Sequence, residues 1–147
     1  MKSIRTEIEI AASAAQVWQV LTDFASYPSW NPSMIEVRTD SKPGARVDMV
    51  FQSSSRKFVL DARILRFDAG QELCWQGPLS RVVGLFFGGT HYWKIEEAAD
   101  GKHCRLVHGE EFFGGLIPFM GGWLDREIVP AYQAFNQALK SRVESAT

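Results

Sequence analysis

Residues 7–32 read EIEIAASAAQVWQVLTDFASYPSWNP, and the fold is decided by how this stretch is read. At its start, Ile4, Thr6, Ile8 and Ile10 alternate with Arg5, Glu7 and Glu9, the period of two that marks a half-buried strand. Ser13 stands where a helix N-cap belongs. Ala14, Ala15, Val17, Trp18, Val20 and Leu21 follow at helical spacing, which predicts a helix to about Asp23. A second short helical turn is expected over Phe24 to Tyr27. It should stop at Pro28, because proline lacks an N–H and disfavours helix in the residue before it. Pro28 and Pro32 then bracket Trp30 in a stiff loop.

Downstream the pattern changes to short strands: Met34–Thr39, Arg46–Ser53, Lys57–Phe67, Glu72–Gly77, Thr90–Glu97 and His103–Phe113. Turn signals separate several of them: Ser41-Lys42-Pro43-Gly44, a hairpin tip at Ser53–Ser55, Asp68-Ala69-Gly70 and Asp100-Gly101. The chain ends in a helix, with Leu124, Ile128, Tyr132, Phe135, Leu139 and Val143 at steps of three or four. Pro130 falls inside this helix and is expected to kink or restart it. A single antiparallel sheet must bury its apolar face, and this long helix is the only large partner on offer. The expected fold is therefore α+β. A curved antiparallel sheet of about seven strands wraps around a long C-terminal helix, two short helices follow the first strand, and a hollow lies between sheet and helix.

The 147 residues suit one domain, 1–147, able to bury roughly 68–70% of its unfolded surface without metal or disulfides. Net charge is −1 with no basic block, so phosphate neutralisation gives no support to nucleic acid binding. The N-terminus has no apolar signal segment, and no apolar run reaches the ~20 residues of a membrane span. Cys74 and Cys104 should lie two strands apart, about 9.5 Å, too far for a disulfide. Free thiols and the absence of a leader point to a cytoplasmic setting. His91, His103 and His108 lack zinc-site spacing, and no phosphate loop or nucleophile elbow occurs, so neither metal nor cofactor is expected.

The opening stretch, LCWQG at 73–77, FFGGTHYWKIE at 86–96, HGEEFFGGLIP at 108–118 and AFNQALKSRVE at 134–144 together resemble the START-like superfamily. This superfamily, also called SRPBCC, includes the birch pollen allergen. The local match is closer to its bacterial polyketide cyclase/dehydrase-like branch. The resemblance implies a helix-grip fold with a cavity for an apolar small molecule. It does not imply a shared catalytic motif, so function has to come from the site.

Three features carry chemical potential. Strand parity turns His91, Trp93 and Ile95 inward, and also Leu106, His108, Glu110 and Phe112. His91, His108 and Glu110 should then converge, either as a general acid/base set or as a satisfied structural cluster. A bulge at Gly109 would instead turn Glu110 outward. The expected lining of the cavity is Trp30, Met49, Phe51, Trp75, His91, Trp93, His108, Phe112 and Phe135. The apolar segments 81–89 and 112–123 carry Leu85, Phe86, Phe87, Leu116, Ile117 and Phe119. They read either as gates over the cavity mouth, with transient membrane contact, or as plugs folded into the barrel end. Arg66 is a candidate carboxylate ligand if it shares the inner face of Ile64.

The expected function is binding of an apolar or amphipathic, lipid- or polyketide-like small molecule. Two alternatives stand beside it. One is a cyclase/dehydrase-type enzyme with His91 or His108 as base and Glu110 orienting it. The other is a protein-interaction module that uses the apolar segments.

Overall fold

The computed structural model describes residues 1–53 and 56–146. Among them, seven strands form one antiparallel sheet: β1 (Lys2–Ile10), β2 (Met34–Thr39), β3 (Arg46–Ser53), β4 (Arg56–Asp68), β5 (Glu72–Gly77), β6 (Gly88–Glu97) and β7 (Cys104–Phe113). Their order is β1-β7-β6-β5-β4-β3-β2, a meander from β2 to β7 with β1 added beside β7. After β1 come α1 (Ala14–Thr22), a 3₁₀ turn (Phe24–Ser26) and α2 (Tyr27–Trp30). Helix α3 (Arg81–Phe86) joins β5 to β6. A second 3₁₀ turn (Ile117–Phe119) leads into α4 (Gly121–Ser145), which packs mainly on β1. The curved sheet holding α4 is the helix-grip arrangement.

Local chemistry explains the elements. Ser13 accepts the Gln16 amide while Gln16 accepts the Ser13 amide at 2.8 Å, a complete capping box for α1. The turn at 41–44 places Ser41 and Gly44 at positive φ. The tip of the β3–β4 hairpin, expected at Ser53–Ser55, falls at residues 54 and 55, outside the described residues.

Four expectations change. Pro28 does not end a helical turn; it sits in the first turn of α2, where its missing N–H has no partner to lose. Segment 81–86 is a helix rather than a loop, started by Ser80, whose hydroxyl accepts from the Val83 amide at 3.3 Å. Helix α4 does not restart at Pro130 but continues through it to Ser145. Pro130 is exposed, so the carbonyl it leaves without a partner lies on the solvent side of the helix. Finally, the β4–β5 register shifts between Ile64 and Arg66, so the alternation reverses there. Arg66 is exposed, and Phe67 takes the inner side, edge-on to Trp18 at 5.0 Å.

The β6–β7 register is unbroken at Gly109, so no bulge turns Glu110 outward. Gly109 has no room for a side chain, because Tyr92 and the Ile4 carbonyl lie against it. The buried core splits into two clusters. The larger contains Ile10, Leu21, Tyr27, Trp75, Trp93, Phe135 and Leu139 among others. The smaller holds Ile4, Phe112, Ile117, Leu124 and Tyr132. Cys74 and Cys104 are buried free thiols. No helix is long and apolar enough to cross a membrane.

Candidate functional site

A chain of polar side chains runs through the interior where the two apolar clusters meet. Strand pairing assembles most of it: His91 lies opposite Glu110, Trp93 opposite His108, and Thr6 opposite His108 from the other side. Helix α4 adds Tyr132 and Asn136, four residues apart and so on one face. His91 Nδ1 stands 3.2 Å from Glu110 Oε1, and the Tyr132 hydroxyl donates to the same oxygen. The two histidines meet through their Nε2 atoms at 2.7 Å. His108 Nδ1 lies 2.7 Å from Asn136 Oδ1, and Asn136 Nδ2 donates to Thr6 Oγ1 at 2.8 Å. The Thr6 hydroxyl closes the chain on the His108 carbonyl at 2.8 Å. Ring stacking holds the imidazoles in place: His91 lies 4.0 Å from Trp93, and His108 lies 4.2 Å from Tyr132.

Burial sets the protonation. It pushes His108 down to about 3, against the pull of the Asn136 hydrogen bond. Burial, with the neighbouring His108, also holds His91 well below the usual imidazole range. Both histidines are therefore neutral at physiological pH. Burial pushes Glu110 up to about 7, although the Tyr132 hydroxyl pulls the other way. Tyr132 is raised well above 10 by burial and by Glu110, so its proton stays on.

One end of this chain reaches a pocket of about 160 Å³ beneath α3. The pocket is lined by Met49, Phe51, Leu60, Asp61, Ala62, Trp75, Gly77, Pro78, Val83, Phe87, Gly88, Gly89, His91 and Glu110. Glu110 Oε2 lies over the α-carbon of Gly89, so close that a methyl group there would overlap it. Among the described residues this oxygen takes no hydrogen bond, whereas Oε1 has two polar neighbours. The Glu110 side chain is 14% exposed. A larger, open groove of about 980 Å³ lies between the α1–α2 segment and β2. It contains no histidine, and its rim is ionic, with Arg46 held by Asp48 at 3.0 Å and Arg38 by Glu36 at 3.4 Å.

Of the expected lining, Met49, Phe51, Trp75 and His91 border the pocket. Trp30, Trp93, His108, Phe112 and Phe135 do not. Phe135 and Trp93 fill the space between sheet and α4, with ring centroids 6.0 Å apart, so the pocket sits at one end of the sheet rather than between sheet and helix. Trp30 packs on Tyr27 and Phe135 at 5.1 and 5.6 Å. Phe112 and Ile117 belong to the smaller core cluster. Leu85, Phe86, Leu116 and Phe119 are exposed, Phe119 at 86%, while Phe87 lines the pocket. The two apolar segments are joined: the amides of Gly115 and Leu116 donate to the carbonyls of Leu85 and Phe86 at 2.8 and 2.9 Å. Among the described residues, no group of three or more His, Cys, Asp or Glu side chains is placed to hold a metal ion. His103 lies apart, exposed and bonded to Asp100 at 2.8 Å. Thr6, Tyr132 and Asn136 are site residues that the sequence does not single out, and Asn136 carries the clearest signal of the three. Its signal was a polar side chain within the apolar stripe, one turn after Tyr132.

A family model described as polyketide cyclase / dehydrase and lipid transport matches residues 1–144. No curated protein matches. Several solved structures share the fold. A START superfamily protein from Mycobacterium smegmatis is 17% identical with a TM-score of 0.79, covering 99% of both chains. The aromatase/cyclase Zhui from a Streptomyces species is 16% identical with a TM-score of 0.78, covering 97% of this chain and 93% of its own. The di-domain aromatase/cyclase BexL is 17% identical with a TM-score of 0.78, covering 98% of this chain. This chain spans 47% of BexL, about half of that two-domain protein.

Proposed function

For a chain that belongs to the polyketide cyclase / dehydrase and lipid transport family, we propose binding of a small, largely apolar molecule in the pocket beneath α3, with Glu110 as its polar end. The observation that carries this reading is the pocket-facing Oε2, which has no protein partner among the described residues, on a carboxyl whose other oxygen is held by Tyr132 and His91. A polar group in an apolar pocket orients a ligand by offering it one hydrogen bond. The volume suits a molecule about the size of one aromatic ring, since an apolar protein cavity of about 150 Å³ takes up benzene. Val83 of α3, itself exposed, and Phe87 line the pocket on the side by which the molecule would enter.

A second reading adds chemistry. A carboxyl that titrates near 7, within 3.2 Å of a neutral imidazole, is suited to move a proton during a cyclisation or dehydration. The first test is a titration of the ¹⁵N-labelled protein with one-ring aromatic probes. Shift changes confined to Trp75, Gly88, Gly89 and Glu110 are expected; changes scattered over the surface would sink the reading. Retained binding with lost turnover in Glu110→Gln would separate catalysis from carriage.

A further inference from the structure

We propose that Asn136 is a positioning residue for Glu110: through the tautomers of His108 and His91 it keeps Glu110 a neutral carboxyl whose pocket-facing Oε2 accepts a hydrogen bond, so the pocket favours an uncharged apolar molecule that ends in an O–H or N–H donor. The ligand half of this proposal rests on the small-molecule reading above.

The closed end of the chain fixes its polarity. The His108 carbonyl can only accept, and Thr6 Oγ1 lies 2.8 Å from it, so the single hydroxyl proton of Thr6 is committed there. Thr6 Oγ1 must then accept from Asn136 Nδ2 at 2.8 Å. That orientation turns Asn136 Oδ1 toward His108 Nδ1 at 2.7 Å, so Nδ1 carries the proton. A neutral His108 has a bare Nε2, which accepts from His91 Nε2–H at 2.7 Å. Neutral His91 then has a bare Nδ1, facing Glu110 Oε1 at 3.2 Å. Two bare acceptors 3.2 Å apart cannot share a proton neither carries, so the carboxyl proton is assigned to Oε1, on the side of His91. The Tyr132 hydroxyl donates to the same oxygen. Oε2 is left as the carbonyl oxygen of the acid. The opposite polarity would leave Thr6 Oγ1 and the His108 carbonyl, two acceptors, 2.8 Å apart with no proton between them.

The groups that face Glu110 are His91 on β6, Tyr132 on α4 and, across the pocket, Asp61 on β4, whose carboxylate holds the Leu79 amide at 2.9 Å. Opposite on β1 stands apolar Ile4. None of them is a cation that would stabilise an ionised Glu110.

The test begins with ¹⁵N spectra of the histidine rings in the wild-type protein. They should show His108 protonated at Nδ1 and His91 at Nε2; the reverse pair overturns the positioning role without any variant. In Asn136→Leu the tautomers are released and His91 Nδ1–H can donate to a carboxylate. The Glu110 carboxyl pKa, read by ¹³C shift, should then fall by about one unit. Thr6→Val, a near-isosteric change, should lower it in the same direction, and an unmoved pKa in both variants overturns the role. Phenol and benzene, titrated into the wild type, test the ligand. Phenol should bind several-fold tighter, and equal binding overturns the polarity assigned to the pocket. Failure of both probes to bind, with the expected tautomers in place, overturns the small-molecule reading and the ligand half of the proposal, while the role of Asn136 stands.

Discussion

Replacing Glu110 by glutamine should make the protein more stable at alkaline pH. The folded chain holds the Glu110 proton up to about pH 7, whereas an unfolded chain releases it near 4.5. The sign follows from linkage: between those values the native state binds more protons, so stability is lost as pH rises from 4.5 and levels off above 7. Each unit of difference corresponds to about 1.4 kcal/mol. Across pH 5 to 8 the wild-type protein should therefore lose about 2–3 kcal/mol through this group. A glutamine amide does not titrate; with its NH₂ in the place of Oε1 it faces His91 Nδ1 as a donor and the Tyr132 hydroxyl turns to accept from it, while the carbonyl takes the place of Oε2. Urea unfolding followed by tryptophan fluorescence, run on both proteins from pH 5 to 8, measures the difference. Contributions from the histidines and surface carboxylates occur in both and cancel. Curves that stay parallel across that range would refute the claim that Glu110 is held neutral by its surroundings.

On the acid side, His91 and His108 are kept neutral in the fold but charge in the unfolded chain. Stability should begin to fall as pH drops through 6.5, with a limiting slope near two protons, or about 3 kcal/mol per pH unit, read in the Glu110→Gln background. Gly89→Ala should displace the Glu110 carboxyl, since a methyl there overlaps Oε2; the expected result is a folded protein with the aromatic probe's affinity lost in titration calorimetry. Gly114→Ala should destabilise by about 1–3 kcal/mol in thermal unfolding, because φ is +114° and the added methyl meets the Phe86 backbone where the two apolar segments join.

Much of the architecture was legible because alternation and capping are local. The Ser13 N-cap, the strands and their turns, and the stripe of α4 need no tertiary knowledge. Strand parity also turned His91, His108 and Glu110 to one face, and in the structure these three meet. What escaped depends on partners far along the chain. The alternation of β4 reverses at a bulge that only the β5 pairing reveals, so Arg66 points out. Segment 81–86 carries Gly84 and a continuous apolar run, which reads as a loop until Ser80 is seen to cap it. The position of the pocket is likewise set by tertiary packing. Strand parity turns Trp93, His108 and Phe112 inward and helical spacing does the same for Phe135, but neither tells how closely α4 descends onto the sheet, and that closeness fills the middle of the fold. Thr6 and Asn136 are 130 residues apart, and their bond appears only when α4 lies across β1.

The polar chain is hard to account for by stability alone. Well-packed apolar side chains at these positions would avoid desolvating two imidazoles, a carboxyl and an amide, and buried polar networks are seldom better than such replacements. A purely structural network would also close at both ends. This one closes at the Thr6 hydroxyl and the His108 carbonyl, yet opens at Glu110 Oε2 on the pocket wall. The open end is the one whose retention lowers stability above pH 7, and the glutamine variant is expected to recover that loss. A group that weakens the fold where it faces a pocket, and is oriented by His91, Tyr132, His108, Asn136 and Thr6, is what the proposed ligand role requires.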